Sequence, residues 1–167
     1  DDPNRNIERV HSPINGHHLV VLEYQKARVR PSIIDLTNME EMVLPKIKGS
    51  LIPIGPVADD EWVGLYYSST QPDEIVRFDI NDVDISRFQP LTHVWERTAI
   101  KPEQLTPAED FEWKAKDDLN IHGWLYRSKK PSKKAIIYVH GGPTAHAKDA
   151  INPQIQYLVS RGFNVLA

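Results

Sequence analysis

The residues with the clearest capacity for chemistry are His140-Gly141-Gly142-Pro143, which close the apolar run Ala135-Ile136-Ile137-Tyr138-Val139. Two successive glycines leave the backbone without Cβ atoms, so it can adopt conformations closed to other residues and approach a ligand closely. In acyl-transfer hydrolases, a His-Gly-Gly loop after a sheet strand supplies a main-chain N–H to the oxyanion of the tetrahedral intermediate. That chemistry requires a nucleophile. The elbow Gly-x-Ser-x-Gly occurs nowhere in the 167 residues. Ser160 precedes Arg161-Gly162 at a helix end, and Ser50 is followed by Leu51-Ile52-Pro53, so neither sits on a strand-to-helix turn.

Other constellations offer less. The chain has no cysteine, which excludes disulfides, thiolate catalysis and cysteine-ligated metals. His17 and His18 are neighbours at the start of a strand and point to opposite faces, so they cannot chelate one ion together. No metal or other cofactor is expected. Asp117-Asp118 sits between two strand-like runs and reads as a turn. Lys129, Lys130, Lys133 and Lys134 surround Pro131 without interleaved aromatics, the pattern of a solvated loop. His146 reads as a solvated loop residue, with a place at the entrance to a site as the alternative. Trp62, Tyr66 and Tyr67 read as core.

The elements that must hold the loop come from two halves with different patterning. From Ile7 to about Ile100 short strands alternate with turns: 8–11 and 18–24 around Asn15-Gly16, then 32–36, 42–44, 62–67 and 74–80. Prolines 31, 45, 53, 56, 72 and 90 are read as punctuation between strands. Leu19–Leu36 and Trp62–Ile80 echo each other about forty residues apart, the period of a four-stranded propeller blade. Lys101–Asp110 is a polar, proline-bearing connector. After it come a hairpin (111–116 and 119–127), a strand over the apolar run 135–139 read as buried on both faces, and an amphipathic helix at 151–161 with Pro153 in its first turn. Gly162 is placed as that helix's C-terminal cap, and a further buried strand follows at 163–167.

The segments Asn120–Tyr126, Tyr138–His146 and Tyr157–Ala167 together resemble the prolyl oligopeptidase family of serine peptidases. The His-Gly-Gly-Pro form is most similar to its acylaminoacyl-peptidase and dipeptidyl-peptidase-like branch. The resemblance is specific over 111–167 and generic before it. It implies β-propeller blades (antiparallel β) over 1–105, followed over 106–167 by the N-terminal part of an α/β-hydrolase domain. It also implies a fragment of a larger protein, cut before the nucleophile. In such a peptidase Gly142, with Gly141 the close alternative, donates the oxyanion-hole N–H, while His140 and Pro143 border the bound substrate. The Ser, Asp and His of the triad fall downstream of the strands seen here.

The expected partners are a peptide substrate, the remainder of the same polypeptide and, as an open possibility, further copies of the chain. Net charge −3 argues against a nucleic-acid field. There is no apolar stretch of about 18 residues that would cross a membrane. A cytoplasmic location is the expectation. Two alternatives stand beside the peptidase reading: a catalytically inactive β-rich binding or assembly module, and an esterase of the same fold.

Overall fold

The computed structural model describes residues 6–13, 16–142 and 145–167. Among these, twelve strands form three four-stranded sheets. The first is an antiparallel meander of β1 (Ile7–His11), β2 (His18–Gln25), β3 (Arg28–Asp35) and β4 (Glu41–Val43). The second repeats that order with β5 (Ser50–Pro56), β6 (Glu61–Ser68), β7 (Gln71–Asp79) and β8 (Gln89–Pro90). The echoing hairpins are β2–β3 and β6–β7, the middle strands of each sheet. Asn15, on which the first turn reading rests, lies outside the described residues, as does the segment 1–5.

The two meanders share one apolar core. Val20, Leu22, Val29 and Ile33 of the first pack with Leu51, Trp62, Val76 and Phe78 of the second. Trp62 and Tyr67 are buried as expected, and the His18 ring meets Trp62 edge-on at 5.2 Å. Burying these side chains supplies the main drive for the two sheets to associate, at roughly 25 cal/mol per Å² of apolar surface.

Five of the prolines read as strand breakers stand inside strands: Pro31 in β3, Pro53 and Pro56 in β5, Pro72 in β7 and Pro90 in β8. Their positions explain the tolerance. β5 and β8 are edge strands, where a missing N–H leaves no ladder bond unmade. Pro31 directs its carbonyl to the Leu44 N–H (3.1 Å), just past the end of β4, so its ring faces the place where pairing stops. Pro72 is the second residue of β7, beside the turn.

Glu74 ties the end of the second sheet together. Its buried carboxylate accepts from the Thr92 N–H (2.9 Å), the Thr92 hydroxyl and the Val94 N–H (2.9 Å). Burial alone would raise its pKa. The bonds from Thr92 and Val94 overcome that and hold the carboxyl below its ordinary value. A carboxyl depressed in the fold contributes stability above its unfolded pKa of about 4.3, and that stability is lost as pH falls through the folded value. Glu74→Gln, with one acceptor oxygen in place of two, is expected to cost about 1.5–3 kcal/mol at neutral pH. In thermal melts from pH 7 to pH 3, the gap between wild type and E74Q should close at the acid end.

The third sheet differs in kind, with order β11-β12-β10-β9. β9 (Glu109–Lys114) and β10 (Asn120–Tyr126) form the expected hairpin, turned at Asp117-Asp118 with Asp118 at φ 63°. β12 (Asn164–Leu166) lies against β10 antiparallel and against β11 (Ala135–Ile137) parallel. Helix α1 (Pro153–Ser160) makes the crossover between β11 and β12. Asn152 caps it by accepting from the N–H groups of Gln154 (3.0 Å) and Ile155 (3.2 Å). At the other end Gly162, at φ +95°, donates to Val159 O, and Phe163 N–H donates to Leu158 O. This is a Schellman closure, which needs glycine at the left-handed residue. Ile155 and Val159 press on Trp124, Tyr126 and Val165 to make a second core.

The reading of the run 135–139 as a strand buried on both faces is corrected. β11 has three residues and lies at a sheet edge. Ile136 and Tyr138 pack inward toward the second core, while Ile137 and Val139 are 76% and 80% exposed. The apolar run has α1 on one face and, among the described residues, nothing on the other.

Candidate active site at the His-Gly-Gly loop

The loop is delivered by β11. Its ladder extends one residue past the strand, where Tyr138 N–H donates to Leu166 O (2.8 Å), and the Tyr138 hydroxyl donates to Gln154 Oε1 on α1 (2.7 Å). The backbone then leaves the sheet. His140 Nδ1–H donates to the Gly141 carbonyl at 2.6 Å, which bends the chain onto the imidazole. Gly141 and Gly142 are exposed, and among the described residues their amides donate to no protein group. Pro143 lies outside the described residues.

Nothing in the fold demands glycine at 141 or 142. Of the eight glycines, Gly16, Gly49 and Gly162 have positive φ. At Gly55, Gly64 and Gly123 an added Cβ would meet a neighbour at 3.2 Å or less. At Gly141 and Gly142 the φ is ordinary and a Cβ would meet nothing within 4 Å. The space in front of these two amides is open.

Behind the loop lies a cavity of about 300 Å³ lined by Tyr126, Tyr138, His140, Gly141, His146 and Lys148. His146 is therefore not the solvated loop residue that the sequence suggests. Its ring meets Tyr24 edge-on at 4.5 Å, and its Nε2 is buried with no hydrogen-bond partner. Burial, and then the charge of Lys148, push the imidazole toward its neutral form. A histidine three residues past a Gly-Pro pair carries no periodic signal, so only the fold reveals its position.

The segment running from the loop to α1 is anchored by a cluster that sequence patterning missed. Asp149, 2% exposed, accepts from Arg28 Nε (2.7 Å) and from the Ser69 N–H (3.0 Å). Arg28 Nη1 donates to Asp110 Oδ2 (2.9 Å), and its guanidinium lies 4.4 Å from the centre of the Trp124 ring. His122 completes the group through Asp110 Oδ1 (3.0 Å). Burial disfavours the charge on Arg28, and Asp149 and Asp110 together outweigh it. Gln156 of α1 adds a second tie, accepting from Thr106 N–H (2.9 Å) and donating to the carbonyls of Thr106 (2.9 Å) and Ser69 (3.2 Å). The connector around residue 106 is thus clasped between α1 and the β6–β7 turn. The one available sequence signal was the alternation Arg28-Val29-Arg30, which puts two guanidiniums on one face of a strand.

The other candidate groups stay apart from the loop. His18 stands against Trp62 in the first core, and Asp117-Asp118 forms the β9–β10 turn. The four lysines of 129–134 are exposed, with Lys129 Nζ donating to Glu103 O at 2.7 Å. Among the described residues no helix is long and apolar enough to cross a membrane.

No family model matches the chain, and neither does any curated protein. Solved structures do. The chain superposes on an acylaminoacyl peptidase from Pyrococcus horikoshii with TM-score 0.69 and 19% identity, over 99% of its own length and 25% of that protein's. A puromycin-hydrolyzing peptidase from Mycobacterium tuberculosis gives 0.64 and 19%, over 94% and 25%. A prolyl endopeptidase gives 0.68 and 15%, over 99% and 24%. The chain therefore spans about a quarter of the length of the structures it matches. The likeness in fold to these peptidases extends across nearly the whole chain.

Proposed function

We propose that the chain is part of a serine peptidase of the prolyl oligopeptidase family that hydrolyses short peptides by acyl transfer. In this reading residues 1–105 are blades of a gating β-propeller, and 106–167 open an α/β-hydrolase domain. The Ser, His and Asp of the triad belong to parts of the protein outside this chain. The observation that carries the reading is the pair Gly141-Gly142. Their amides donate to no protein group among the described residues, and neither packing nor φ calls for glycine there. Clearance for a substrate carbonyl accounts for both features. His140, bonded to the Gly141 carbonyl, sets the bend, and Pro143 borders the substrate. The fold shared with an acylaminoacyl peptidase and with puromycin-hydrolyzing and prolyl-cleaving enzymes supports the substrate class.

The test is made on the full-length protein. It should be labelled by a fluorophosphonate probe, and it should release the fluorophore from an acyl-aminoacyl or aminoacyl amide with labelling and turnover blocked in parallel. A properly folded full-length protein that takes up no probe and cleaves neither amide would overturn the proposal.

A further inference from the structure

A second cavity, of about 660 Å³, opens where the first two sheets meet the third. Five cations line it: Lys26, Arg28, Arg30, Lys46 and Lys48. Its three carboxylates are already engaged. Asp110 and Asp149 hold Arg28, and Glu109 pairs with Arg127 at 2.9 Å. Lys26 is matched from outside the cavity by Glu112. Arg30, Lys46 and Lys48 remain, and among the described residues none of them has a carboxylate within ion-pair distance.

Arg30 is the informative member. It sits two residues from Arg28 on the same face of β3, half-buried, and Nη1 donates only to the carbonyls of Val29 (3.3 Å) and Gly49 (3.0 Å). Two carbonyl bonds leave most of its five N–H donors unused, and the fork matches a carboxylate bidentately. Withdrawing a cation from water beside a second cation is unfavourable unless an anion compensates it. Burial and the neighbouring Arg28 accordingly both lower the pKa of Arg30, against the partial offset of Asp149 and Asp110. The cleft has the volume of a site for a small ligand and offers the hydroxyl-bearing turn Ser68-Ser69-Thr70 as a polar wall.

We infer that this cleft binds a carboxylate of a short peptide, with Arg30 as the anchoring residue and Lys46 and Lys48 drawing the anion in. The choice of a peptide as carrier rests on the peptidase reading, whereas the carboxylate preference rests on the charges alone. The two sources of a peptide carboxylate, a chain terminus and an acidic side chain, share this chemistry.

Calorimetric titration of the full-length protein separates them with three probes: N-acetyl-trialanine with a free carboxylate, N-acetyl-Ala-Glu-Ala-amide, and N-acetyl-trialanine-amide. At least one anionic probe should bind ten-fold or more tightly than the neutral amide, and the preference should weaken as salt rises from 50 to 500 mM. Arg30→Met, checked by thermal melting, should remove the preference, and Arg30→Lys should retain part of it. If R30M does not fold, the exposed pair K46M/K48M should lower the preference several-fold. Equal affinity for all three probes, no binding of any, or a preference that persists in R30M would overturn the inference. None of these results bears on fluorophosphonate labelling, so the peptidase reading stands or falls separately.

Discussion

Asp149→Ala is expected to destabilise the protein by about 3–5 kcal/mol, the range seen when one partner of a buried ion pair is removed. The carboxylate is 2% exposed and serves two separate elements at once, the Arg28 guanidinium and the Ser69 N–H. Truncation leaves a largely buried guanidinium with only the half-exposed Asp110, and it leaves a buried amide unpaired. The melting temperature of the full-length protein should fall by several degrees. Asp149→Asn keeps an acceptor for the Ser69 N–H and loses the charge, so it should cost less. A double-mutant cycle with Arg28→Met isolates the pair, because with no guanidinium left the second deletion loses only the Ser69 N–H bond. A D149A protein that melts within about 2 °C of wild type would show the cluster to be energetically idle.

On the proposed reading, in which the Gly142 N–H is an oxyanion-hole donor, Gly142→Pro is expected to lower kcat of the full-length protein by about 10²–10³ while leaving KM within a few-fold. Proline removes the N–H under test and also adds a ring and fixes φ, at a position whose φ is not in the left-handed region. Gly142→Ala is the control. Its N–H is retained and its Cβ meets no protein atom within 4 Å, so any loss of activity reports the substrate clearance alone and should be smaller than that of the proline variant. Gly141→Pro distinguishes the neighbouring donor. If both proline variants keep their melting temperature and more than a tenth of wild-type kcat, the loop has no place in stabilising the intermediate.

Much of the framework was legible because it rests on local rules. The short apolar and aromatic runs at 18–24, 62–67 and 74–80 marked three of the four middle strands of the meanders, and Pro153 and Gly162 bracketed the helix. β5 was hidden by Pro53 and Pro56, which break a strand only when both of its edges must pair. The β2–β3 turn was hidden too, since Lys26 and Ala27 both take positive φ without being glycine or asparagine. The run at 135–139 has the composition of a strand enclosed on two sides, yet composition cannot tell whether the second side is covered in this chain.

The loop glycines could be read from their motif. The anchor behind them could not, because Arg28 and Asp149 are separated by 121 positions and neither belongs to a pattern. The same is true of the unpaired cations of the neighbouring cleft. Which charges cancel depends on three sheets meeting, and no window along the chain reports it.

The placing of β12 between β10 and β11 has a consequence for biogenesis. The first two meanders are built from neighbours in sequence and can assemble as they leave the ribosome. The third sheet cannot, since β12, which joins β10 to β11, follows both of them in the chain. Until residues 164–166 emerge, Trp124 and Tyr126 lack the Val165 contact that seals them, and β11 has no strand to pair with. A nascent chain paused short of residue 164 would therefore present two assembled meanders followed by a sticky aromatic hairpin, the kind of surface that chaperones engage.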